Sequence, residues 1–254
     1  MLNKSYSLSR LELKGDPFEI GAGLGRFGKE AVHDHLLKSS AWETVQQWKD
    51  SSAARRMADL TRERLPDVWA ELEGLASGLQ LPLDDVFLWN ARGDLWAMAP
   101  DGCTTVMSPG AGMQRITHNE DGDPGFAGHC AIVQCELPGK PGFASFVYPG
   151  SIPGHTLAVN NHGLAMTVNN VRALYVDPGL PRMVLTRAIL DMPDVAAALQ
   201  LLHDAPRAGA FHLNLGDRSG ALVSVEFSAA MYSSRTVTEP VLHANHAIHP
   251  ETRD

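Results

Sequence analysis

The chain has 254 residues, a net charge of -8 and a calculated pI near 5.7. Its 44% hydrophobic and 20% charged residues are typical of a globular protein, and its acidic balance argues against nucleic acid or anionic membranes as main partners. No run approaches the ~20 apolar residues of a membrane-spanning helix. Residues 1–15 lack the apolar segment of a signal peptide and the last four residues carry no targeting address, so we expect a cytoplasmic protein.

The first 100 residues predict a mainly helical region. Residues 1–15 favour an opening strand, and the segment Gly21-Ala-Gly23-Leu-Gly25 predicts a glycine-rich turn that leads into a helix near Phe27. A dinucleotide site is excluded there because the third glycine of the fingerprint would fall at Arg26. Apolar residues then recur at helical spacing over 27–79.

Two residues mark predicted helix boundaries within this region. Pro66 fits the first turn of a helix, and Gly78 is the predicted end of that helix. Residues 83–96 predict one further short helix, which Asp84 or Asp85 would cap.

After residue 103 the apolar period changes from 3.6 to 2, which indicates strands. The predicted strands are 104–108, 114–118, 131–137, 144–148, 156–160, 165–169, 212–215, 221–227, 231–237 and 241–247. Between the two groups of strands lies a predicted helix pair, 182–192 and 195–203. This order favours stacked antiparallel sheets with helices outside them.

One of the three cysteines has an unusual setting. Cys130 and Cys135 lie in an apolar run and are predicted to be buried inert thiols. Cys103 is flanked instead by Asp101-Gly102 and by two threonines. A nucleophilic cysteine needs a base, and its own α-amino group, with a reference pKa of about 7.7–8.0, is suitable if the preceding bond is cut. Gly102 favours such a cut because a residue without Cβ lets the thiol reach its carbonyl carbon.

The motifs around this cysteine resemble one known family. The chain carries Asp101-Gly-Cys-Thr-Thr105 with Asn90-Ala-Arg92 before it and His118-Asn-Glu-Asp121 after it. It is similar to the acyl-coenzyme A:6-aminopenicillanic acid acyltransferase family (peptidase family C45), whose members are self-cleaving N-terminal-nucleophile (Ntn) enzymes. The similarity covers most of the chain and continues through Gly163-Leu-Ala-Met-Thr-Val-Asn169-Asn170, Gly179-Leu-Pro-Arg182, Thr186-Arg187 and His243-Ala-Asn245-His246.

The resemblance implies a role for four residues. Cys103 matches the nucleophile, and Gly102 supplies the carbonyl that it attacks during self-cleavage. Asp121 matches an acidic residue that orients the freed amino group. Asn169 matches a residue of the oxyanion hole, with Asn170 as the alternative because only one of two neighbours on a strand faces the cleft.

Further candidates rank below these four, and they are Thr105, Arg92, His118, Asn245 and His246. The three closely spaced histidines His243, His246 and His249 could suggest a metal site, but no acidic residue or cysteine in that stretch completes it. We therefore expect no metal and no cofactor.

The resemblance also implies a fold and a subunit arrangement. The expected fold is α+β, an αββα sandwich of two stacked antiparallel sheets between helix layers, formed by residues 1–254 as a single domain. Residues 1–102 would be a helical pro-segment that becomes the α-subunit, and residues 103–254 the β-subunit. The chain stops eight residues after His246, before the region in which the family carries a further arginine, so we expect a shortened C-terminus.

The expected function is an autoproteolytic amidohydrolase or acyltransferase that takes a small acyl donor, such as an N-acyl amide, a peptide or an acyl-coenzyme A. Whether water or an amine accepts the acyl group stays open. Three alternatives remain: a hydrolase similar to penicillin V and bile-salt acylases, an uncleaved inactive relative that acts as a binding or scaffold protein, and the metal protein.

Overall fold

The computed structural model describes residues 8–95, 102–110, 112–173 and 175–252. Tyr6 in the predicted opening strand, Trp96 at the end of the predicted short helix, and Asp101 lie outside these residues. Eight α-helices are present in the described ranges: α1 (Pro17–Asp34), α2 (Ser40–Gln46), α3 (Ser52–Arg64), α4 (Pro66–Leu79), α5 (Leu83–Asn90), α6 (Arg92–Leu95), α7 (Arg182–Ile189) and α8 (Val195–Asp204).

Eleven strands occur in the same ranges, close to where the alternation of apolar residues predicts them. They are β1 (Ser9–Lys14), β2 (Gly102–Ser108), β3 (Arg115–Asp121), β4 (Ala131–Glu136), β5 (Phe143–Val147), β6 (Leu157–Asn160), β7 (Ala165–Asn170), β8 (Phe211–Gly216), β9 (Leu222–Phe227), β10 (Tyr232–Thr236) and β11 (Val241–His243). The last strand is shorter than predicted because the chain leaves the sheet after His243.

The glycine-rich segment is helical, and the predicted turn is wrong. Helix α1 already begins at Pro17, behind a capping box in which the Asp16 carboxylate accepts from the Glu19 N–H. Gly21 and Gly25 lie on the face that packs against α4, where a Cβ atom on Gly21 would overlap the carbonyl oxygen of Glu71. Gly78 is likewise a packing residue inside α4 and not its end. These glycines let two helix backbones approach closely.

The strands form two sheets. The larger sheet has eight strands in the order β1-β4-β5-β6-β7-β8-β9-β10, and the smaller has three in the order β11-β2-β3. Every pairing is antiparallel except that of β1 with β4, which is parallel. The N-terminal segment therefore supplies one edge of a sheet that is otherwise built from residues after Cys103.

The two sheets are stacked face to face, with β2 over β7. Along β7, Met166 and Val168 point into the apolar core shared with the helices, while Thr167 and Asn169 point toward the small sheet. This alternation gives the large sheet one face toward helices and one toward the second sheet. The α+β class with stacked antiparallel sheets and helices is confirmed.

The outer face of the small sheet is open to solvent in the described part of the chain. Thr104 is exposed there, and Leu242 is 70% exposed. No helix among the described residues has both the length and the apolar character needed to cross a membrane.

Candidate active site

Cys103 faces the large sheet from the start of β2 and is buried. Its thiol donates to the Val168 carbonyl oxygen at 3.4 Å. The side chain of Asn245 contacts the cysteine twice: its Oδ1 accepts from the Cys103 N–H at 2.8 Å, and its Nδ2 donates to Sγ at 3.2 Å. The same Nδ2 donates to the Asn170 carbonyl oxygen at 3.0 Å, which fixes the amide orientation. Asn245, which the sequence ranks only as a secondary candidate, thus contacts both the nitrogen and the sulfur of the predicted nucleophile.

The surroundings of this thiol favour its protonated form. Burial raises the pKa of the Cys103 thiol above its ordinary value, and hydrogen bonds from the Asn170 backbone and the Asn245 side chain oppose that rise. The nearby carboxylate of Glu120 raises the thiol pKa further, because like charges disfavour a thiolate. A reaction at this sulfur therefore needs a base that removes its proton.

Gly102 and Asp121 lie opposite each other in the pairing of β2 with β3. A Cβ atom on Gly102 would lie 3.4 Å from Asp121 Oδ2 and 3.6 Å from Asn245 Oδ1. The Asp121 side chain is exposed and accepts from Asn119 Nδ2 at 2.9 Å. Asp121 is therefore next to the predicted cleavage bond, at the end of β3, where it alternates with the inward-facing Glu120 and also borders the cavity beside the thiol.

Glu120 is the carboxylate that shares the inward face with Cys103, and the sequence did not single it out. It is paired with Cys103 across β2 and β3, and its oxygen, the Cys103 sulfur and a His118 nitrogen lie within 4.8 Å of one another. Glu120 also receives bonds from His118 Nε2 at 3.0 Å and from the Tyr148 hydroxyl at 3.3 Å. The alternation along β3 would have identified it, because the residue paired with an inward cysteine also faces inward.

Asn169 is fully buried between the sheets, and its carboxamide is held in one orientation. Its Oδ1 accepts from the Thr105 hydroxyl at 2.8 Å and from Asn214 Nδ2 at 3.0 Å, with His212 Nδ1 at 3.4 Å. Its Nδ2 has no full hydrogen bond to any described residue, yet the side chain lies close enough to the Cys103 thiol to lower the thiol pKa.

Asn170, the alternative, contributes differently. Its backbone N–H is directed at the Cys103 thiol, and its side chain lies in the wall of the neighbouring cavity. Two adjacent residues of β7 thus each direct one N–H group toward the sulfur, one from a side chain and one from the backbone.

Thr105 and His118, both second-rank candidates, support Asn169. His118 Nδ1 lies 2.8 Å from Thr105 Oγ1. The Thr105 hydroxyl donates to Asn169 Oδ1 at 2.8 Å, so it contacts both the histidine ring and the carboxamide. A chain of hydrogen bonds therefore runs from Glu120 through His118 and Thr105 to Asn169.

A cavity of about 450 Å³ opens beside the thiol. Its apolar walls include Trp89, Phe126, Tyr148, Met183 and Phe211, and its charged or polar walls include Arg92, Glu120, Asp121, His155 and Arg182. Residues from both sides of the Gly102–Cys103 bond form these walls. The volume suits a small organic molecule.

Arg92 is in this cavity wall, where its guanidinium lies 4.4 Å from the centre of the Trp89 ring and donates to the Trp89 carbonyl oxygen at 2.9 Å. Arg182, which the sequence did not single out, lies nearby and donates to the Ala210 carbonyl oxygen at 2.7 Å. Its backbone N–H contacts the buried carboxyl of Asp94. Burial raises the pKa of Asp94 to about 7.

His246 is exposed on the wall of a second cavity of about 390 Å³ and is not among the residues that line the first. The other histidines of that stretch have a different setting from the one expected. His249 and His212 approach Glu226, so an acidic residue is present after all. His212 Nε2 and His249 Nε2 are each hydrogen-bonded to Ser224 Oγ. Glu226 accepts from the N–H groups of Ile248 and His249, and His243 Nε2 lies 3.3 Å from its Oε1. The arrangement is a hydrogen-bonded network between the sheets.

The described chain thus has two stacked, mainly antiparallel sheets with a buried cysteine at the start of β2, the central strand of the smaller sheet. Residues 109–254, more than half of the chain, match the family described as "Acyl-coenzyme A:6-aminopenicillanic acid acyl-transferase", and the chain belongs to this family. The resemblance inferred from the motifs is therefore confirmed.

Three individual proteins are similar to this chain. A Drosophila melanogaster protein named "Beta-alanyl-dopamine/carcinine hydrolase" is 26% identical over 231 residues, which is 81% of this chain and 59% of that relative. Penicillin V acylase from Agrobacterium tumefaciens has a TM-score of 0.33 and 19% identity, over 53% of this chain and 41% of its own. A variant of conjugated bile acid hydrolase from Clostridium perfringens has a TM-score of 0.36 and 9% identity, over 60% of this chain and 47% of its own.

Proposed function

We propose that this chain is a self-cleaving amidohydrolase or acyltransferase with Cys103 as its nucleophile. The observation that carries the proposal is the double contact of Asn245, which binds the nitrogen and the sulfur of the same cysteine. A nucleophile whose own nitrogen serves as its base needs both atoms held in a fixed relation. Family membership supports the same chemistry.

The first step of this proposal is maturation. The Cys103 sulfur attacks the Gly102 carbonyl carbon, the C–N bond breaks, and the acyl group moves from nitrogen to sulfur as a thioester. Water then hydrolyses the thioester, which leaves a carboxylate on Gly102 and a free α-amino group and thiol on Cys103. The Asp121 carboxylate, next to Gly102 across the strand pair, would orient the new ammonium group.

In the mature protein the free amine takes the thiol proton while the sulfur attacks the carbonyl carbon of the substrate. Asn245 Oδ1, which accepts from this nitrogen in the uncut chain, would keep the amine oriented. Asn169 Nδ2 and the Asn170 N–H would donate to the oxyanion of the tetrahedral intermediate. The leaving amine then takes the proton, and an acyl-enzyme remains on Cys103.

The acceptor of the acyl group decides between hydrolysis and transfer. Water regenerates the enzyme as a hydrolase, whereas an amine that enters the cavity gives a new amide. The name of the Drosophila relative supports hydrolysis of an amide bond, and the name of the family supports transfer. The acyl donor would be a small N-acyl amide or peptide, because the cavity holds only about 450 Å³, and an acyl-coenzyme A would have to keep its nucleotide portion outside.

The proposed mature enzyme has two parts, 1–102 and 103–254, that stay together. Trp89 and Arg92 from the first part and Met183 and Phe211 from the second line the same cavity, so neither part would form the site alone. The described cysteines are free thiols, which suits a reducing compartment such as the cytoplasm.

The test is the intact mass of purified wild-type protein beside Cys103→Ala and a control, Cys130→Ala, which changes a buried thiol elsewhere. We expect wild type and Cys130→Ala to give fragments 1–102 and 103–254, and Cys103→Ala to stay whole. An uncut wild-type chain, or a cut Cys103→Ala chain, would contradict the proposal. The uncut result would favour a binding or scaffold protein.

A further inference from the structure

Several buried polar atoms without a hydrogen-bond partner among the described residues belong to residues that line the cavity. Trp89 Nε1, Ser151 Oγ and His155 Nε2 all belong to cavity-lining residues, and none has a partner in the described part of the chain. The three residues are 7%, 2% and 9% exposed. Buried polar groups in native proteins nearly always have a hydrogen-bond partner. Several unsatisfied groups in one cavity therefore indicate that a bound ligand supplies the missing hydrogen bonds.

The three atoms differ in what they offer to a ligand. The indole nitrogen of Trp89 only donates, and the Ser151 hydroxyl both donates and accepts. His155 Nδ1 donates to the Ile152 carbonyl oxygen at 2.8 Å. Burial lowers the pKa of His155 to about 3, so the ring is neutral and its Nε2 is an acceptor. The wall therefore presents two donors and two acceptors.

These atoms are held in place before any ligand binds. Fully buried Asn90 fastens the segment that carries Ser151 and His155, because its Nδ2 donates to the Gly150 carbonyl oxygen at 3.1 Å and its Oδ1 accepts from the Ile152 N–H at 2.9 Å. Trp89 precedes this asparagine in helix α5. A polar site that is fixed in advance loses little entropy when it binds.

The charges near this wall limit what it accepts. The guanidinium groups of Arg92 and Arg182 are close enough to His155 to lower its pKa, so an ammonium group would meet two positive charges. A carboxylate would be attracted by the same two guanidinium groups, but it has no proton to donate and its oxygens would meet the lone pair of His155 Nε2. An uncharged group that both donates and accepts matches all the atoms.

We propose that Trp89, Ser151 and His155 form a polar subsite that binds an uncharged hydroxyl or primary carboxamide group of the substrate. The proposal rests on the proposed function, since it describes the substrate of the same cavity. This subsite would favour acyl donors that carry a hydroxyl or carboxamide group in addition to the bond that is cleaved. A site built to pair such a group rejects the analogue that lacks it, because its own polar atoms are then left unpaired.

Binding to the uncut Cys103→Ala protein tests the subsite without any turnover. The probes are the N,N-dimethylamides of phenylacetic, 4-hydroxyphenylacetic and 4-(aminomethyl)phenylacetic acid, measured by calorimetry, because a tertiary amide has no N–H of its own to offer the subsite. We expect the hydroxylated probe to bind at least about tenfold more tightly than the phenylacetic amide, and the ammonium probe to gain nothing. Equal binding of the first two, or tightest binding of the ammonium probe, would overturn the proposal.

Two variants assign the preference to the wall. In the Cys103→Ala background, Ser151→Ala and Trp89→Phe should each reduce the preference for the hydroxyl to about threefold or less. Ser40→Ala, which removes an exposed hydroxyl from the same cavity, should leave it unchanged. A melting curve for each variant verifies folding. A preference that survives both changes in folded protein would reject the subsite.

Turnover separates this proposal from the proposed function. The p-nitroanilides of phenylacetic and 4-hydroxyphenylacetic acid are given to the wild-type protein. Hydroxyl-selective binding without any release of p-nitroaniline would leave the subsite in place and count against the amidase. Release from both compounds at equal kcat/KM, with equal binding, would support the amidase and reject the subsite.

Discussion

The carboxamide of Asn169 has its two ends in different surroundings. Its oxygen accepts from the Thr105 hydroxyl and Asn214 Nδ2, and its nitrogen faces the thiol. A rotation of the amide by 180° would turn its NH₂ group toward the Asn214 donor and its oxygen toward the sulfur. We infer that the buried contacts between the sheets serve to keep an N–H donor directed at the reacting atoms.

Thr105 provides a test of this inference at the residue scale. Thr105→Val removes the hydroxyl at nearly constant shape and should lower kcat for an amide substrate about 10-fold to 100-fold, less than the loss of a direct oxyanion donor, with little change in KM. Thr105→Ser should restore most of the rate, because it keeps the donor. Steady-state kinetics with a thermal melt for each variant provide the measurement.

Thr104 is the matched control, since it is the neighbouring residue on the same strand but is exposed on the opposite face. Thr104→Val should leave kcat and KM unchanged. A Thr105→Val protein that is folded and fully active would mean that the orientation of Asn169 does not depend on this hydroxyl.

The residues of the site were predictable to different degrees. Cys103 and Asn169 came from the resemblance, and the structure brings both to the same point. The resemblance points to Asp121 and not to its neighbour Glu120, although the alternation along β3 puts Glu120 on the same face as Cys103. Ser151 and His155 lie in a segment without regular structure, where neither spacing nor composition marks a residue as buried.

At the scale of elements, the pair α1 and α4 has the most contacts among the helices and strands, and glycines make it possible. Cβ atoms on Gly21 and Gly74 would overlap backbone carbonyl oxygens of the opposite helix, those of Glu71 and Phe18. Glycine lowers helix propensity, which is why the sequence predicted a turn at this place. The tertiary contact outweighs that local preference, and single-residue propensities contain no information about it.

Gly21→Ala should therefore destabilise the protein although alanine favours a helix by about 1 kcal/mol. The added methyl group meets backbone atoms, which cannot rotate away, and overpacking of this kind costs about 1–3 kcal/mol. Because the clash is with backbone atoms, we expect a cost at the upper end of this range, and after the gain in helix propensity a net loss of about 2 kcal/mol in urea unfolding.

Gly216→Ala is the control for that substitution. A Cβ atom on Gly216 would lie 3.4 Å from its nearest neighbour, the Ala221 carbonyl oxygen, which is an ordinary contact. Its free energy of unfolding should change by no more than about 0.5 kcal/mol. If Gly21→Ala were as stable as this control, the two helices would have room that the structure does not show.

At the scale of the whole molecule, residues on either side of the Gly102–Cys103 bond share one core. The strand alternation predicted the stacked sheets well, because a half-buried strand leaves a period of two in its sequence. It did not predict that β1 would pair in parallel with β4, since a pairing across more than 100 residues leaves no local signal. The N-terminal segment is thereby built into the large sheet.

A buried ion pair also joins the two segments. Glu71 of α4 accepts from Arg187 Nε of α7 at 2.7 Å, and the two side chains are 0% and 2% exposed. Arg187→Met leaves a buried carboxylate without its partner and should cost about 3–5 kcal/mol, while the double variant Arg187→Met/Glu71→Leu should regain most of that loss. Urea unfolding of the three proteins provides the comparison.

Lys14→Met is the control, because Lys14 also pairs across the two segments, with Glu136, but at 81% and 61% exposure. Lys14→Met should lower the free energy of unfolding by no more than about 0.5 kcal/mol. A double variant as unstable as Arg187→Met alone would show that the cost comes from lost packing and not from an unpaired charge.

The two parts of the gene, before and after codon 102, each encode residues of the same cavity. In the proposed mechanism, the codons for Cys103, Asn169 and Asn170 lie after position 102, whereas the codons for Trp89, Arg92 and the Ser39–Ala41 wall lie before it. Mutations in the earlier stretch can therefore change which molecules the cavity accepts and leave these three residues unaltered. A mutant library confined to the later codons would leave a part of the cavity wall unexplored, and an exchange of the earlier codons between relatives would transfer that part without altering the proposed nucleophile.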